Sequence, residues 1–209
     1  LNTTISGSQF SMDLANGTEA RGGSIYVQGD DTKVLDSTFE RCTAYEGGVV
    51  YINGTNAVLD NLSCIYSFAT NGGAFYLNGN NATIFNTKVS FNNATDYGGA
   101  IYVAGDFALI DNSNFTKCIV YQYDGGAIYA EGLNATILNS YFGENRVIGN
   151  KARGGSMFIQ GDYLSLEGCT FNRCTSYEGG VIYINGSNAR IEDSSNTFSL
   201  AQSGSAIYV

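Results

Sequence analysis

Histidine is absent from this chain of 209 residues, and so are proline and tryptophan. Histidine is the side chain that most often acts as a general base or a metal ligand near neutral pH. Its absence excludes nucleophilic triads that pair serine or cysteine with histidine, and it excludes zinc sites with histidine ligands. The five cysteines also lack a CxxC spacing, so the sequence predicts neither a metal site nor a cofactor.

Charged residues are scarce as well, at 14% of the chain, and they leave a net charge of -9. An acidic surface repels the backbone of nucleic acids and anionic lipids. The sequence also lacks the run of about 18 apolar residues that a membrane-spanning helix requires. We therefore expect no nucleic-acid partner and no direct insertion of this segment into a membrane.

Glycine, in contrast, is abundant and periodic. A Gly-Gly doublet begins at residues 22, 47, 72, 98, 125, 154 and 179, and a Gly-Ser pair takes its place at 204. Each pair is followed by a small residue or valine, then an apolar, an aromatic and an apolar residue, as in Ala100-Ile101-Tyr102-Val103. The doublets lie 25–29 residues apart, a spacing that indicates a stacked repeat.

A second periodic feature lies at a constant distance from the doublet. Twelve residues after its first glycine stands one apolar residue per repeat: Val34, Leu59, Ile84, Ile110, Ile137, Leu166 and Ile191. Two residues further on, the column reads Asp36, Asn61, Asn86, Asn112, Asn139, Gly168 and Asp193. Asparagine and aspartate tolerate turn geometry and can form hydrogen bonds along a stack, so this column predicts one turn of each repeat.

A repeat of this length with three short β-like segments cannot bury its own apolar face, whereas stacked copies can. The pattern therefore predicts an all-β chain that forms a single-stranded parallel β-helix, or β-solenoid, of about eight coils of 25–29 residues. Right-handed winding is expected from the handedness of parallel crossovers. Alternation along the first strand places Ile25 and Val27 inside and Tyr26 outside.

A longer repeat is superimposed on the coils. Residues 39–57 match residues 171–189 at 15 of 19 positions, an offset of 132 residues or five coils. We expect residues 1–209 to form a single β-helix domain that is an excerpt of a longer array. At about 4.8 Å per coil, this excerpt is a rod about 38 Å long.

The repeat resembles a known group of proteins. Gly-Gly-Ala-Ile-Tyr-Val at residues 98–103, followed by Ile110 and by Asn112-Ser113-Asn114-Phe115, is similar to the repeats of right-handed parallel β-helix surface proteins. These include adhesin-like proteins of archaea, polymorphic outer-membrane proteins of bacteria and secreted β-helix proteins of ciliates. The resemblance covers the whole chain and implies an extracellular or cell-surface location, but the families share a scaffold and not a site.

Two features are candidate binding sites. The first is the aromatic column, which can bind a glycan or a neighbouring rod, or can simply stack on itself to stabilise the sheet; it comprises Tyr26, Tyr51, Tyr76, Tyr102, Tyr129, Phe158, Tyr183 and Tyr208. The second is the longest variable segment, residues 143–153, which holds Arg146, Lys151 and Arg153. Insertions in solenoids cluster on one face, often the binding face, although the segment can equally be a tolerated insertion.

Other polar patterns favour structural or secretory roles. The residue before each doublet places Arg21 beside Glu46, and Arg153 between Asp124 and Glu178, which we interpret as surface ion pairs between coils. Sequons for N-glycosylation occur at Asn2, Asn16, Asn53, Asn61, Asn81, Asn93, Asn114, Asn134 and Asn185. The cysteines are interpreted as buried apolar fillers, and Cys169 with Cys174 is the one plausible disulfide pair.

These features predict an extracellular, structural or adhesive repeat protein that presents a rod-like surface for attachment or filament assembly. Its expected partners are protein or glycan surfaces, with head-to-tail or lateral self-assembly as a further route to a filament. We expect no enzymatic activity. The alternative is a polysaccharide lyase or hydrolase on a pectate-lyase-like β-helix, because the Asn/Asp column also resembles the asparagine ladder of those enzymes.

Overall fold

The protein is a parallel β-solenoid, as the sequence predicts. The structure, a computed structural model, describes residues 2–209. Over this range all strands pair in parallel and no helix occurs. Three parallel sheets of eight strands each run the length of the stack, and a fourth sheet has four strands. The right-handed winding stays a prediction.

The four sheets are named here in the order in which a coil visits them. Sheet I follows the glycine doublets and contains Ile25–Gln28, Val50–Asn53, Phe75–Leu77, Ile101–Val103, Ile128–Ala130, Met157–Ile159, Ile182–Ile184 and Ile207–Tyr208. Sheet II contains Thr4–Ser6, Lys33–Leu35, Val58–Asp60, Thr83–Phe85, Leu109–Asp111, Thr136–Leu138, Ser165–Glu167 and Arg190–Glu192. Sheet III contains Gln9–Ser11, Thr38–Glu40, Ser63–Ile65, Lys88–Ser90, Asn114–Thr116, Tyr141–Gly143, Thr170–Asn172 and Ser195–Thr197. Sheet IV contains Phe68–Asn71, Asn93–Tyr97, Ile119–Val120 and Arg146–Val147.

Equivalent residues of successive coils lie directly over one another. In sheet II, Val34 pairs with Leu59, and Leu59 pairs with Ile84. All three side chains are buried in one continuous apolar core. The interior column predicted from the sequence is therefore confirmed, and each such side chain contributes about 1.5–3 kcal/mol by leaving water.

Alternation along sheet I sorts its side chains as predicted. Phe75 and Leu77 are buried in the core, whereas Tyr76 between them packs against a separate cluster formed with Tyr102 and Tyr129. Because successive strand residues point to opposite faces, the tyrosines lie on the outer face of this sheet.

The turn between sheets II and III requires left-handed backbone, which explains its Asn/Asp column. Asp36, Asn61, Asn86 and Asn112 have φ of 49°, 53°, 50° and 47°. The predicted ladder forms in part, because Asn61 donates to Asp36 at 2.8 Å and Asn112 donates to Asn86 at 2.6 Å. Asn86, however, donates to Asp60 at 3.1 Å, one residue before the expected partner. The ladder is therefore shared between two adjacent columns.

The core contains a polar column, of which only the cysteines were predicted from the sequence to be buried. Cys42, Cys118 and Cys174 are buried, and all five cysteines are free thiols, so the pair Cys169–Cys174 is not bonded. Burial raises the pKa of Cys118 to about 12. In the same column Asn145 is fully buried; its Oδ1 accepts from the Cys118 amide at 3.0 Å. Its Nδ2 donates to a carbonyl at 2.9 Å, so the buried amide is satisfied at both ends.

The doublet glycines are required for two different reasons. The first glycine adopts left-handed backbone, as at Gly125 with φ of 72°. The second glycine contacts the next coil so closely that a Cβ atom on Gly126 would lie 2.0 Å from the carbonyl oxygen of Gly155. The coil spacing therefore leaves no room for a side chain at this position.

We expect Gly126→Ala to lower the free energy of unfolding by about 1–3 kcal/mol, because the methyl group forces neighbouring backbone to move. Urea denaturation followed by circular dichroism measures the change. Gly17→Ala is the matched control, since a Cβ there meets only ordinary contacts, the nearest at 3.8 Å. An unchanged midpoint for Gly126→Ala would contradict the close stacking of the doublets.

Candidate functional site

The aromatic column forms one continuous ladder on the outer face of sheet I. Tyr51 and Tyr76 stack with ring centroids 5.0 Å apart, and Tyr76 and Tyr102 stack at 4.5 Å. The remaining neighbours have centroids 4.8–5.5 Å apart, from Tyr26 at one end to Tyr208 at the other. All eight aromatic residues proposed as a binding strip are thus brought together.

Other side chains cover the middle of this ladder. Tyr51 and Phe158 are only 3% and 2% exposed, whereas Tyr26 is 46% exposed. The guanidinium of Arg21 lies over Tyr51 at 5.1 Å, and that of Arg153 lies over Phe158 at 4.5 Å. A ligand therefore cannot reach a flat strip of eight rings, and stacking within the ladder accounts for most of its apolar surface.

The hydroxyl groups of the ladder lie in a partly dry environment. Burial, with smaller contributions from Glu46 and Tyr51, raises the pKa of Tyr76 to about 12. Burial, together with Glu131, also raises the pKa of Tyr102 and of Tyr129. Tyr76, Tyr102 and Tyr129 therefore stay neutral at any physiological pH.

Two of the predicted ion pairs between coils are present. Arg21 Nε lies 2.8 Å from Glu46 Oε2. Arg153 engages both carboxylate oxygens of Asp124, at 3.0 Å and 2.6 Å, in a bidentate pair that is stronger than a single contact. The register places Arg153 between Asp124 and Glu178, as predicted, and its ion pair is formed with Asp124. These contacts support the interpretation that this column holds the coils in register.

The variable segment 143–153 is folded onto the solenoid and divides its three cations. Val147 and Ala152 pack with Ala94 and Val120 in a small second core. Lys151 and Arg153 line a groove of about 380 Å³ beside Tyr183 of the aromatic ladder. Arg146 lies elsewhere, in a second groove of about 460 Å³. The sequence therefore grouped three cations that the structure separates.

The second groove contains residues that the sequence analysis missed. Lys117, Glu144 and Arg173 form a column of left-handed residues, with φ of 56°, 56° and 54°. Each follows the buried phenylalanine of a sheet III strand by two positions, as Lys117 follows Phe115. Arg146 lies two residues after Glu144 and pairs in register with Ile119. The constant spacing within each repeat carried this signal, because the column recurs at one fixed distance from each doublet.

The nine sequons differ in accessibility. Asn2, Asn16, Asn53, Asn61, Asn81 and Asn185 are exposed, whereas Asn93, Asn114 and Asn134 are half-buried. The Nδ2 atoms of Asn61 and Asn81 donate to ladder partners at 2.8 Å and 3.2 Å, so a glycan there would cost a hydrogen bond. Accessibility therefore favours Asn2, Asn16, Asn53 and Asn185 as glycosylation sites.

Within residues 2–209, no group of three or more acidic, cysteine or histidine side chains is placed to hold a metal ion. The same residues contain no helix with the length and apolar character needed to cross a membrane. The geometry thus defines a parallel β-solenoid with an aromatic ladder and two charged grooves. Comparison with protein-family models, with curated proteins and with solved structures found no match.

The raised tyrosine pKa values predict a loss of stability at high pH. An unfolded tyrosine ionises near pH 10, whereas folded Tyr76 keeps its proton up to about pH 12. The unfolded chain therefore releases protons first, so the stabilisation is complete below pH 10 and is lost as the pH rises through about 12. Tyrosinate absorbance and circular dichroism measured together should show Tyr76, Tyr102 and Tyr129 ionising only as the fold is lost.

Tyr76→Phe is the matched variant for this titration. It removes one linked proton, so its stability should fall less steeply with pH than that of the parent chain. Ionisation of all 15 tyrosines near pH 10 in a chain that stays folded would contradict the prediction.

Proposed function

We propose that this chain is part of an extracellular structural or adhesive repeat protein, which presents a rod-like surface for cell attachment or filament assembly. The observation that carries the proposal is the strict register of the coils. Tyr51, Tyr76 and Tyr102 pair directly with one another, and the same holds for the columns of sheets II and III. Such stacking repeats one outward surface along an axis, which suits a spacer or display scaffold.

The filled interior supports a role for the outer surface. The core is a single cluster of buried apolar side chains that extends from Ile25 to Ile184. Interiors of this kind are close-packed, which favours partner contacts on the outer surface. Contacts with a partner therefore have to be made by the outward columns, the turns and the segment 143–153.

The resemblance to β-helix surface proteins and the dense sequons support an extracellular location. Asn2, Asn16, Asn53 and Asn185 lie exposed, as acceptor asparagines of a secreted protein would. The proposed partners are protein or glycan surfaces. Self-assembly, head to tail or side by side, is proposed as the route to a filament.

Immunogold electron microscopy of the source cells tests this proposal. An antibody raised against the 209-residue chain should label regular filaments or stalks outside the cell. Label on filaments of constant diameter would identify a polymer, and label on separate stalks would identify an adhesin. Pre-immune serum is the control, and label confined to the cell interior would contradict the proposal.

We propose that the rod is non-catalytic. The alternative function is that of a polysaccharide lyase or hydrolase. Such an enzyme needs carboxylates that converge on a groove, as free acids and bases. In this chain several acids are instead engaged by arginine, including Asp124 with Arg153 and Glu46 with Arg21. This arrangement favours a structural role for the acids.

Incubation of the chain with polygalacturonate and with alginate separates the two functions. We expect no new reducing ends and no absorbance from unsaturated products, with a commercial pectate lyase as the positive control. Products that appear with the chain and disappear in an Asp124→Asn variant would overturn the non-catalytic role.

A further inference from the structure

The groove beside Arg146 gathers cations that have no acidic partner. Four ion pairs are present among residues 2–209, and they involve Arg21, Arg41, Arg153 and Arg190. None of them includes Lys117, Arg146 or Arg173, although all three cations line this one groove. Glu144 lines the same groove, so three cations face one carboxylate there, an excess of positive charge in a chain whose net charge is -9.

The register of the coils fixes the spacing of these cations. Arg146 pairs with Ile119 in the preceding coil and with Thr175 in the following coil. Lys117 and Arg173 precede those partners by two residues each, so the three cations come from three successive coils. Lys117 and Arg173 are therefore separated by two coil spacings, about 10 Å along the axis. This distance suits a ligand whose anionic groups repeat along a chain.

An aromatic ring and a carboxylate complete the groove. Lys117 Nζ lies 5.0 Å from the centroid of Phe91, and Phe91 stacks on Tyr66 at 5.1 Å. Tyr66 and Lys117 cover the faces of the Phe91 ring, and this residue, which is 39% exposed, borders the groove with the edge of its side chain. Glu144 lies in the column between Lys117 and Arg173 and offers an acceptor for hydroxyl donors. Cations, an apolar ring and an acceptor together match a sugar that carries acidic groups.

We propose that this groove binds a segment of an acidic polysaccharide. Carboxylate or sulfate groups on the chain pair with Lys117, Arg146 and Arg173, a sugar ring lies against Phe91, and sugar hydroxyls donate to Glu144. The proposal names a partner class for the adhesive role proposed above and rests on it for the biological setting alone.

The shape of the surface favours a polymer over a free anion. The groove shares Thr175 with a neighbouring groove, which in turn shares Asn150 and Lys151 with the groove at Tyr183. This concave path around segment 143–153 is longer than a single sugar. A membrane or a nucleic acid would bring many anions against the whole acidic surface and would be repelled by it.

Isothermal titration calorimetry with the 209-residue chain tests the proposal. Hexagalacturonate and sulfated maltohexaose are the acidic probes, and maltohexaose is the neutral one. At least one of the two acidic probes should bind, depending on whether the groove prefers carboxylate or sulfate groups. Its binding should weaken as salt is added. Arg146→Ala and Arg173→Ala should each weaken binding about tenfold, as expected for one lost charged hydrogen bond. Glu144→Gln should strengthen the binding of either acidic probe.

Lys33→Ala is the matched control, because Lys33 is an exposed cation of sheet II that lies outside the groove. Its affinity for the acidic probes should equal that of the parent chain, and circular dichroism should show every variant folded. Equal binding of maltohexaose, equal losses for Lys33→Ala and Arg146→Ala, or no binding of either acidic probe would overturn the inference. Stronger binding to phosphatidylserine vesicles than to the acidic probes would also overturn it.

The two proposals fail in distinguishable ways. Extracellular gold label without binding of acidic oligosaccharides would remove the groove proposal and leave the rod. Binding in the calorimeter with label confined to the cell interior would leave the groove as an acidic-glycan site and remove the extracellular rod.

Discussion

Backbone hydrogen bonds between equivalent residues of successive coils hold the other features of this protein in place. Tyr51 pairs with Tyr76 and Tyr76 with Tyr102 without a shift, so each coil repeats the position of the one before it. Insertions can enter only where this ladder is not continuous. They occur around sheet IV, where the register shifts between Ala94 and Tyr97, and this is the side on which the grooves lie.

Stacking side chains of the same kind stabilises an apolar column and destabilises a charged one. Rings in one column gain from stacking, as Phe115 and Phe142 do at 5.1 Å inside the core. Like charges in one column would repel at the same spacing, and two columns of this chain alternate them instead. Arg153 therefore follows Asp124, and Glu144 stands between Lys117 and Arg173. Alternation spares these two columns the cost of stacking like charges, whereas Glu167 and Glu192 do stack in sheet II.

The segment 143–153 shows how one insertion can serve both structure and recognition. Its Arg153 forms an ion pair with Asp124 and covers the aromatic ladder, and this cation therefore has a structural role. Its Arg146 lies on a strand of sheet IV beside the buried Val147, which fixes the backbone of Arg146 at the groove. A fixed backbone loses little conformational entropy on binding, which is the advantage of placing a site on a strand.

The periodic sequence determined by itself which residues stack. Val34, Leu59 and the outward tyrosines could be assigned from spacing and alternation, because a parallel ladder leaves no freedom of register. Only the tertiary structure decided which neighbouring columns meet. The shift of Asn86 to Asp60 and the convergence of Lys117 with Arg146 depend on how each turn bends and how long side chains lean across it. A one-dimensional repeat specifies order along the axis, whereas distances around the coil arise only when the chain closes each turn.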